Sequence, residues 1–282
     1  MKYLVTGANG QLGNGLRKIL PESEAVFTDV AELDVTDREA ILGMLEKEKP
    51  EYVLHCAALT NVDGCEDNPE LADKINHKST EYFAEGCNKV NATLMYISTD
   101  YVFDGTAKEP YKVDDKPNPQ SAYGKTKLLG EEAAKKAKKC YIIRTAWVYG
   151  DGHNFVKTML RLSETMPEIK VVNDQIGKPA WADDLAKAMI GVIEKNLPQG
   201  VYHFTNDGDE ISWADFARKI FELAGKGTTV PNITTEEYIA MNSNKKIAPR
   251  PHYSVLDLSK LKNAGVSVPN WEESLKSYLE LG

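Results

Sequence analysis

Apolar residues in the first half of the chain fall into short blocks separated by stretches of helical period. The blocks are Tyr3-Leu4-Val5, Ala25-Val26-Phe27-Thr28, Tyr52-Val53-Leu54-His55-Cys56, Thr93 to Ser98 and Tyr141-Ile142-Ile143-Arg144. Short apolar runs bounded by polar turns are the pattern of strands buried on both faces of a parallel sheet. Between them, Leu12, Leu16, Ile19 and Leu20 recur at helical spacing until Pro21, and Ile41, Leu42 and Leu45 do so before Pro50. Asp34 or Thr36 is the expected cap of the second helix. A further helical region is expected over 69–90, and another from the capping residue Ser121 to about Lys138. This alternation predicts an α/β fold, a Rossmann-like doubly wound parallel sheet with right-handed crossovers.

Past Gly150 the rhythm loosens. The spacing predicts helices over 155–162 and 183–193, the second packing back on the sheet, and a short strand over 201–204. A helix capped by Ser212 should run to Gly225, a short one should follow Thr234 or Thr235, and an amphipathic helix should close the chain over 271–281. The organisation expected is a dinucleotide-binding domain of 1–150 plus about 176–197. A smaller α/β carboxyl-terminal substrate domain would take about 151–175 plus 198–282.

Charge narrows the partners. With 34 basic and 42 acidic side chains, the net charge of −8 disfavours a general nucleic-acid or anionic-membrane surface. An anionic substrate then needs a local basic patch, and Lys245, Lys246 and Arg250 are candidates. Cys56, Cys65, Cys87 and Cys140 lie far apart, without metal-ligand spacing, so reduced thiols and a cytoplasmic location are expected. The chain runs from Met1 straight into a strand, leaving no room for a signal peptide, and holds no apolar run long enough to span a bilayer.

Candidate chemistry collects at the ends of the predicted strands, where open α/β sheets bind ligands. Gly7-Ala8-Asn9-Gly10-Gln11-Leu12-Gly13 follows the first strand and opens a helix, the context of a dinucleotide loop. Its glycines permit close backbone approach, and the free amides and helix dipole suit a pyrophosphate. Gly7, Asn9, Gly10, Gln11 and Leu12 are the expected contacts. Asp29, at the end of the second strand, would accept hydrogen bonds from ribose hydroxyls and repel a 2′-phosphate, which favours NADH while leaving NADPH possible. Asp34 and Val35 would flank the adenine. The small residues Ala57 and Ala58, with Thr60, follow the third strand, and Asn76 is a polar residue within the next helical region. The fourth strand ends in Ser98-Thr99-Asp100-Tyr101, a run of hydroxyls and a carboxylate. Tyr123 and Lys127, spaced i and i+4, share one helix face. A phenol, an ammonium and a hydroxyl at one strand end make a plausible proton-delivery site. Trp147 stands at the end of the fifth strand, as core or as a flat platform for a sugar or base.

Four motifs occur together: Thr-Gly-Ala-Asn-Gly-Gln-Leu-Gly, Ser-Thr-Asp-Tyr-Val-Phe-Asp-Gly, Tyr-Gly-Lys-Thr-Lys and Arg-Thr-Ala-Trp-Val-Tyr-Gly. Asn154-Phe155-Val156, Asp174-Gln175-Ile176-Gly177-Lys178-Pro179 and Arg250-Pro251 with Ser254 agree with them. The set resembles the extended short-chain dehydrogenase/reductase superfamily and, within it, the dTDP-4-dehydrorhamnose reductase family, from end to end. The resemblance implies NAD(P)H-dependent reduction of the 4-keto group of dTDP-4-dehydro-L-rhamnose to dTDP-L-rhamnose. It implies a catalytic trio of Thr99, Tyr123 and Lys127. Tyr123 would donate the proton, Lys127 would hold the nicotinamide ribose and lower the phenol pKa, and Thr99 would align the carbonyl. Asn76, Ala57, Ala58, Thr60 and Ser98 would line the cofactor path. Thr99, Asp100, Tyr101, Tyr123, Trp147, Asn154 and Arg250 would meet the substrate. Relatives usually carry Thr after the proline of Asp-Gln-x-Gly-x-Pro, where this chain has Ala180-Trp181. Some dimerise through magnesium held by glutamates, one just past the glycine loop. Gly15 stands there, so no metal is expected, although a homodimer is compatible with the resemblance. Another nucleotide-sugar reductase or epimerase is the alternative, as is a non-catalytic subunit resembling the methionine adenosyltransferase beta subunit.

Overall fold

The computed structural model describes residues 1–281. In chain order its first half comprises β1 (Tyr3–Thr6), α1 (Gln11–Ile19), β2 (Ala25–Thr28), α2 (Arg38–Glu48), β3 (Tyr52–His55), α3 (Val62–Asp67), α4 (Pro69–Asp73), α5 (Ser79–Val90), β4 (Thr93–Thr99), α6 (Ala122–Ala134) and β5 (Cys140–Thr145). The second half comprises β6 (Val148–Tyr149), α7 (Phe155–Ser163), β7 (Val171–Val172), β8 (Ile176–Gly177), β9 (Ala180–Trp181), α8 (Ala182–Glu194) and β10 (Gly200–Phe204). It ends with β11 (Ile211–Ser212), α9 (Trp213–Leu223), β12 (Asn232–Ile233), α10 (Thr235–Met241), α11 (Ser259–Asn263) and α12 (Trp271–Leu281).

The main sheet is parallel throughout, in the order β10-β5-β4-β3-β1-β2. Its order reverses between β1 and β3, which puts the switch point, and hence the ligand crevice, beside the carboxyl ends of β1 and β3, next to β4. Buried apolar side chains cover both faces. Leu16, Leu185, Met189 and Phe204 pack on one side, and Ile41, Leu45, Phe83 and Leu94 on the other. A separate core of Trp181, Phe216, Phe221, Trp271 and Leu275 holds the carboxyl-terminal elements together.

The main sheet also includes β10, whose Val201–Phe204 pairs in parallel with Ile142–Thr145. Two expectations are corrected. The region 69–90 is not one helix. Asn68 caps α4 with Pro69 at the first turn, and a π-helical turn at Lys74–Lys78 separates it from α5. Neither Asp34 nor Thr36 caps α2. Asp37 does so through Ala40 N, while the Asp34 carboxylate is turned onto Thr36 N and Oγ1 at 2.8 Å. Three other caps agree: Ser121 on α6, and Ser212 and Thr234 in capping boxes on α9 and α10. No described helix is long and apolar enough to cross a membrane.

Candidate active site

The glycine loop is fixed by packing. Gly7 has φ +65°, and a Cβ there would lie 2.8 Å from the Ala57 backbone. At Gly13 a Cβ would lie 2.4 Å from Gly7 O, so a side chain would force the loop and α1 apart. Gly10 is different: only Gly7 O, at 3.2 Å, would meet its Cβ, leaving an open approach in front of α1. The first turn of α1 has no side-chain cap and no acidic residue. Its amides are therefore free for an anion on the dipole-positive end. Gln11 Oε1 is buried without a partner among the described residues. Asp29 closes the adjoining corner, accepting from Asn9 N at 2.9 Å and Val30 N at 2.8 Å. Val35 is half-buried against the core and Asp34 is exposed beside it. These features fit a dinucleotide whose pyrophosphate lies over Gly10, Gln11 and Leu12, with its ribose near Asp29.

Asn76 is fully buried in the π-helical turn. Its side chain accepts from Leu59 N at 2.8 Å and donates to Leu59 O at 3.1 Å and Thr126 Oγ1 at 3.2 Å. It thus clamps the segment after β3, including Ala57 and Ala58, against α6. Ala57 N donates to Thr6 Oγ1. Thr60 is exposed beyond this clamp.

Thr99, Tyr123 and Lys127 come together at the end of β4, all buried. Lys127 Nζ donates to Ile97 O at 2.5 Å and lies 4.2 Å from the Tyr96 ring centroid. Burial lowers its pKa to about 7, opposed by the Glu131 carboxylate one turn further along α6. Burial raises the Tyr123 pKa, and the nearby Thr99 hydroxyl works weakly the other way. Desolvation is the leading cause of the shift at both groups. Thr99 Oγ1 donates to Asp100 Oδ1 at 2.9 Å and accepts from Tyr101 N at 3.2 Å. Burial raises the Asp100 pKa to about 6, with Thr99 and Ser254 opposing it. Its Oδ2 has no partner among the described residues.

Tyr101 meets Tyr123 edge to face, with centroids 5.5 Å apart. Burial raises the Tyr101 pKa, opposed by the nearby Arg250, whose Nη2 grips both oxygens of Asp63 at 2.9 Å. Asp63 also accepts from Ala248 N, and Lys246 Nζ donates to Glu66 O. The segment before Arg250 is thereby strapped to α3. Glu66 additionally accepts from Ala122 N at 2.6 Å, at the start of the helix that carries Tyr123.

Two candidates sit differently from the simplest expectation. Asn154 is buried as the cap of α7, donating to Gly150 O and Tyr278 OH, so its polar atoms are committed within the carboxyl-terminal core. Trp147 is not free on both faces: Trp213 stacks on one of them with centroids 3.7 Å apart, and the indole as a whole is half-buried. Asp63, Ser254 and Trp213 were not picked out by sequence reasoning as site residues. Glu131 had a visible signal: with Tyr123 and Lys127 it continues the same i, i+4 face. It is fully buried, accepting from Ser98 Oγ at 2.6 Å and from Arg144 Nε and Nη2 at 2.8 Å each.

A dinucleotide cradle and a buried hydroxyl–phenol–ammonium cluster at one strand end are what carbonyl reduction needs. The sequence profile described as "RmlD substrate binding domain" matches residues 1–281. The chain belongs to this family. Its similarity to other RmlD-family proteins is end to end. A dTDP-4-dehydrorhamnose reductase from Clostridium acetobutylicum superposes with a TM-score of 0.94 at 47% identity, over 100% of this chain and 99% of that one. The dTDP-4-dehydrorhamnose reductase of Bacillus anthracis, solved in complex with NADP, gives 0.93 at 38% identity, over 100% of both chains. The spore coat polysaccharide biosynthesis protein SpsK of Bacillus subtilis is 41% identical over 99% of this chain and 97% of its own.

Proposed function

We propose that the protein reduces the 4-keto group of dTDP-4-dehydro-L-rhamnose to dTDP-L-rhamnose. The observation that carries this is the joint burial of Thr99, Tyr123 and Lys127 at the end of β4, in the same parallel sheet whose β1 leads into the uncapped first turn of α1, in a chain of RmlD-family architecture. A reduced nicotinamide cofactor supplies the hydride when bound. The other functions belong to side chains of this chain. Tyr123, kept protonated by burial, delivers a proton to the oxygen that gains negative charge. Thr99 turns its hydroxyl proton from Asp100 Oδ1 to that oxygen and fixes its position. Lys127, released from Ile97 O, holds the nicotinamide ribose and keeps positive charge beside the phenol. Arg250 is the cation for the substrate diphosphate, exchanging Asp63 for phosphate oxygens. Asp100, Tyr101 and Trp147 border the sugar. Residues 1–150 with α8 and β10 form the cofactor domain, and the remaining carboxyl-terminal elements form the substrate domain.

Both NADH and NADPH serve as cofactor. Asp29 accepts from the adenosine ribose hydroxyls and favours NADH. The NADP complex of the Bacillus anthracis relative supports use of the phosphorylated cofactor as well. The test is turnover of enzymatically generated dTDP-4-dehydro-L-rhamnose with each cofactor, and identification of the product by nuclear magnetic resonance. Formation of dTDP-L-rhamnose is expected. Turnover of a different nucleotide sugar only would redirect the substrate assignment. Cofactor binding without turnover of any of them would favour a binding subunit.

A further inference from the structure

We propose that Trp213 is a positioning residue for the sugar end of the substrate, acting by holding the indole of Trp147 at the edge of the catalytic cluster. The inference rests on the nucleotide-sugar reading of the site. Trp147 lies two residues past Thr145, which is in register with Thr99 on the neighbouring strand. Its backbone has φ +48°, a left-handed conformation that is rare for a bulky side chain and persists only where the surroundings impose it.

Two contacts hold the indole that this backbone carries. The Trp213 ring stacks on Trp147 at a centroid distance of 3.7 Å and an interplanar angle of 15°. Gly177 makes room for the indole: a Cβ there would lie 2.7 Å from Trp147 Cε2 and 2.8 Å from Cζ2. The two contacts come from one local device. β11 pairs with β8, with Ile211 opposite Gly177, and the Ser212 capping box turns the chain into α9 at Trp213. The strand that carries Gly177 thus also fixes the residue that stacks on Trp147.

The device borders the reacting groups. A Cβ at Gly177 would also lie 3.0 Å from Ser254 Oγ, and Ser254 acts on the buried Asp100 carboxylate that accepts the Thr99 hydrogen bond. Burial separates this pair from the other two tryptophans. Trp181 and Trp271 are 7% and 3% exposed in the carboxyl-terminal core, whereas Trp147 and Trp213 are only half-buried. A rigid, half-exposed indole offers apolar surface to the C–H edge and methyl group of a deoxyhexose, and holding it in advance lowers the cost of ordering it on binding. Trp213 supplies that preorganisation.

The experiment measures binding of dTDP and of dTDP-L-rhamnose by calorimetry to wild type, Trp213→Ala and Trp213→Phe, with NADPH affinity and Tm recorded for each. Wild type should prefer the sugar nucleotide over dTDP. Trp213→Ala should weaken dTDP-L-rhamnose about tenfold while leaving dTDP and NADPH unchanged, and Trp213→Phe should recover most of the loss by stacking. In turnover, Trp213→Ala should raise KM more than it lowers kcat. A wild-type preference left intact by Trp213→Ala would overturn this inference alone. Equal weakening of dTDP, dTDP-L-rhamnose and NADPH together with a lower Tm would also overturn it, making Trp213 a core residue. A wild type with no preference for the sugar nucleotide would remove the sugar reading of the site, and this inference with it.

Discussion

Lys127 should be held in place at the expense of stability, and replacing it with methionine exposes that expense. The residue is 2% exposed, and burial lowers its pKa from 10.5 to about 7. A depressed pKa on a base means that the unfolded chain binds more protons than the folded one between pH 7 and 10.5. Stability therefore rises with pH across that window, and the full penalty is present below it. At about 1.4 kcal/mol per pKa unit, the ammonium destabilises the fold by roughly 5 kcal/mol at pH 6 and roughly 2 kcal/mol at pH 9. Lys127→Met removes this term but leaves Ile97 O without its donor, a cost of about 1–3 kcal/mol that does not depend on pH. The variant should then be more stable than wild type by a few kcal/mol at pH 6 and about equal to it at pH 9. The difference between the two pH values, about 3 kcal/mol, is independent of the lost hydrogen bond. Urea unfolding of the cofactor-free protein at both pH values measures it. A stability change of the same size at pH 6 and pH 9 would refute a depressed Lys127 pKa, and with it the picture of a desolvated ammonium waiting for its ligand.

Asp29→Ala removes the carboxylate that accepts from Asn9 N and Val30 N, and should raise the ratio of NADPH to NADH in kcat/KM; an unchanged ratio would remove Asp29 from cofactor choice. Asn76→Ala leaves Leu59 N and O without partners in a part-buried place, which should cost about 1–3 kcal/mol of stability and weaken cofactor binding. Denaturant titration and NADH fluorescence read those two effects, and a variant as stable as wild type would contradict the clamp. Asp63→Asn should loosen the grip on Arg250, leaving the fold intact and tightening dTDP binding measured by calorimetry. Weaker binding would show instead that Asp63 orients Arg250 for the substrate.

What could be read from the sequence was local. Each strand of the main sheet is an apolar run whose neighbours in the chain already differ in kind, and the glycine loop lies between a strand and a helix only a few residues long. Tyr123 and Lys127 share a helix face by spacing alone, so their meeting with Thr99 followed once β4 and α6 were placed side by side. Failures came where partners are far apart in the chain or where two local options compete. Asp34, Thr36 and Asp37 can all cap a helix, and only the direction of α2 selects Asp37. Within the π-helical turn, Asn76 bonds Leu59 and Thr126 through its side chain and accepts from Tyr96 OH at its carbonyl, and none of these is its sequence neighbour. Arg250 finds Asp63 across 187 positions, and Trp213 finds Trp147 through a two-stranded pairing too short to have a periodic signature. β10 was recognised as a strand, but membership of the main sheet depends on the exposed edge of β5, which no local pattern reports.

The account stands on Tyr123 as the proton donor at a nicotinamide site. The most direct measurement is turnover of dTDP-4-dehydro-L-rhamnose by wild type and Tyr123→Phe, followed by loss of reduced-nicotinamide absorbance, with NADH and NADPH binding measured on both. Removing the phenolic proton while keeping the ring should slow turnover about 10²-fold or more and leave cofactor affinity nearly unchanged. A Tyr123→Phe enzyme that turns over at the wild-type rate would contradict the account.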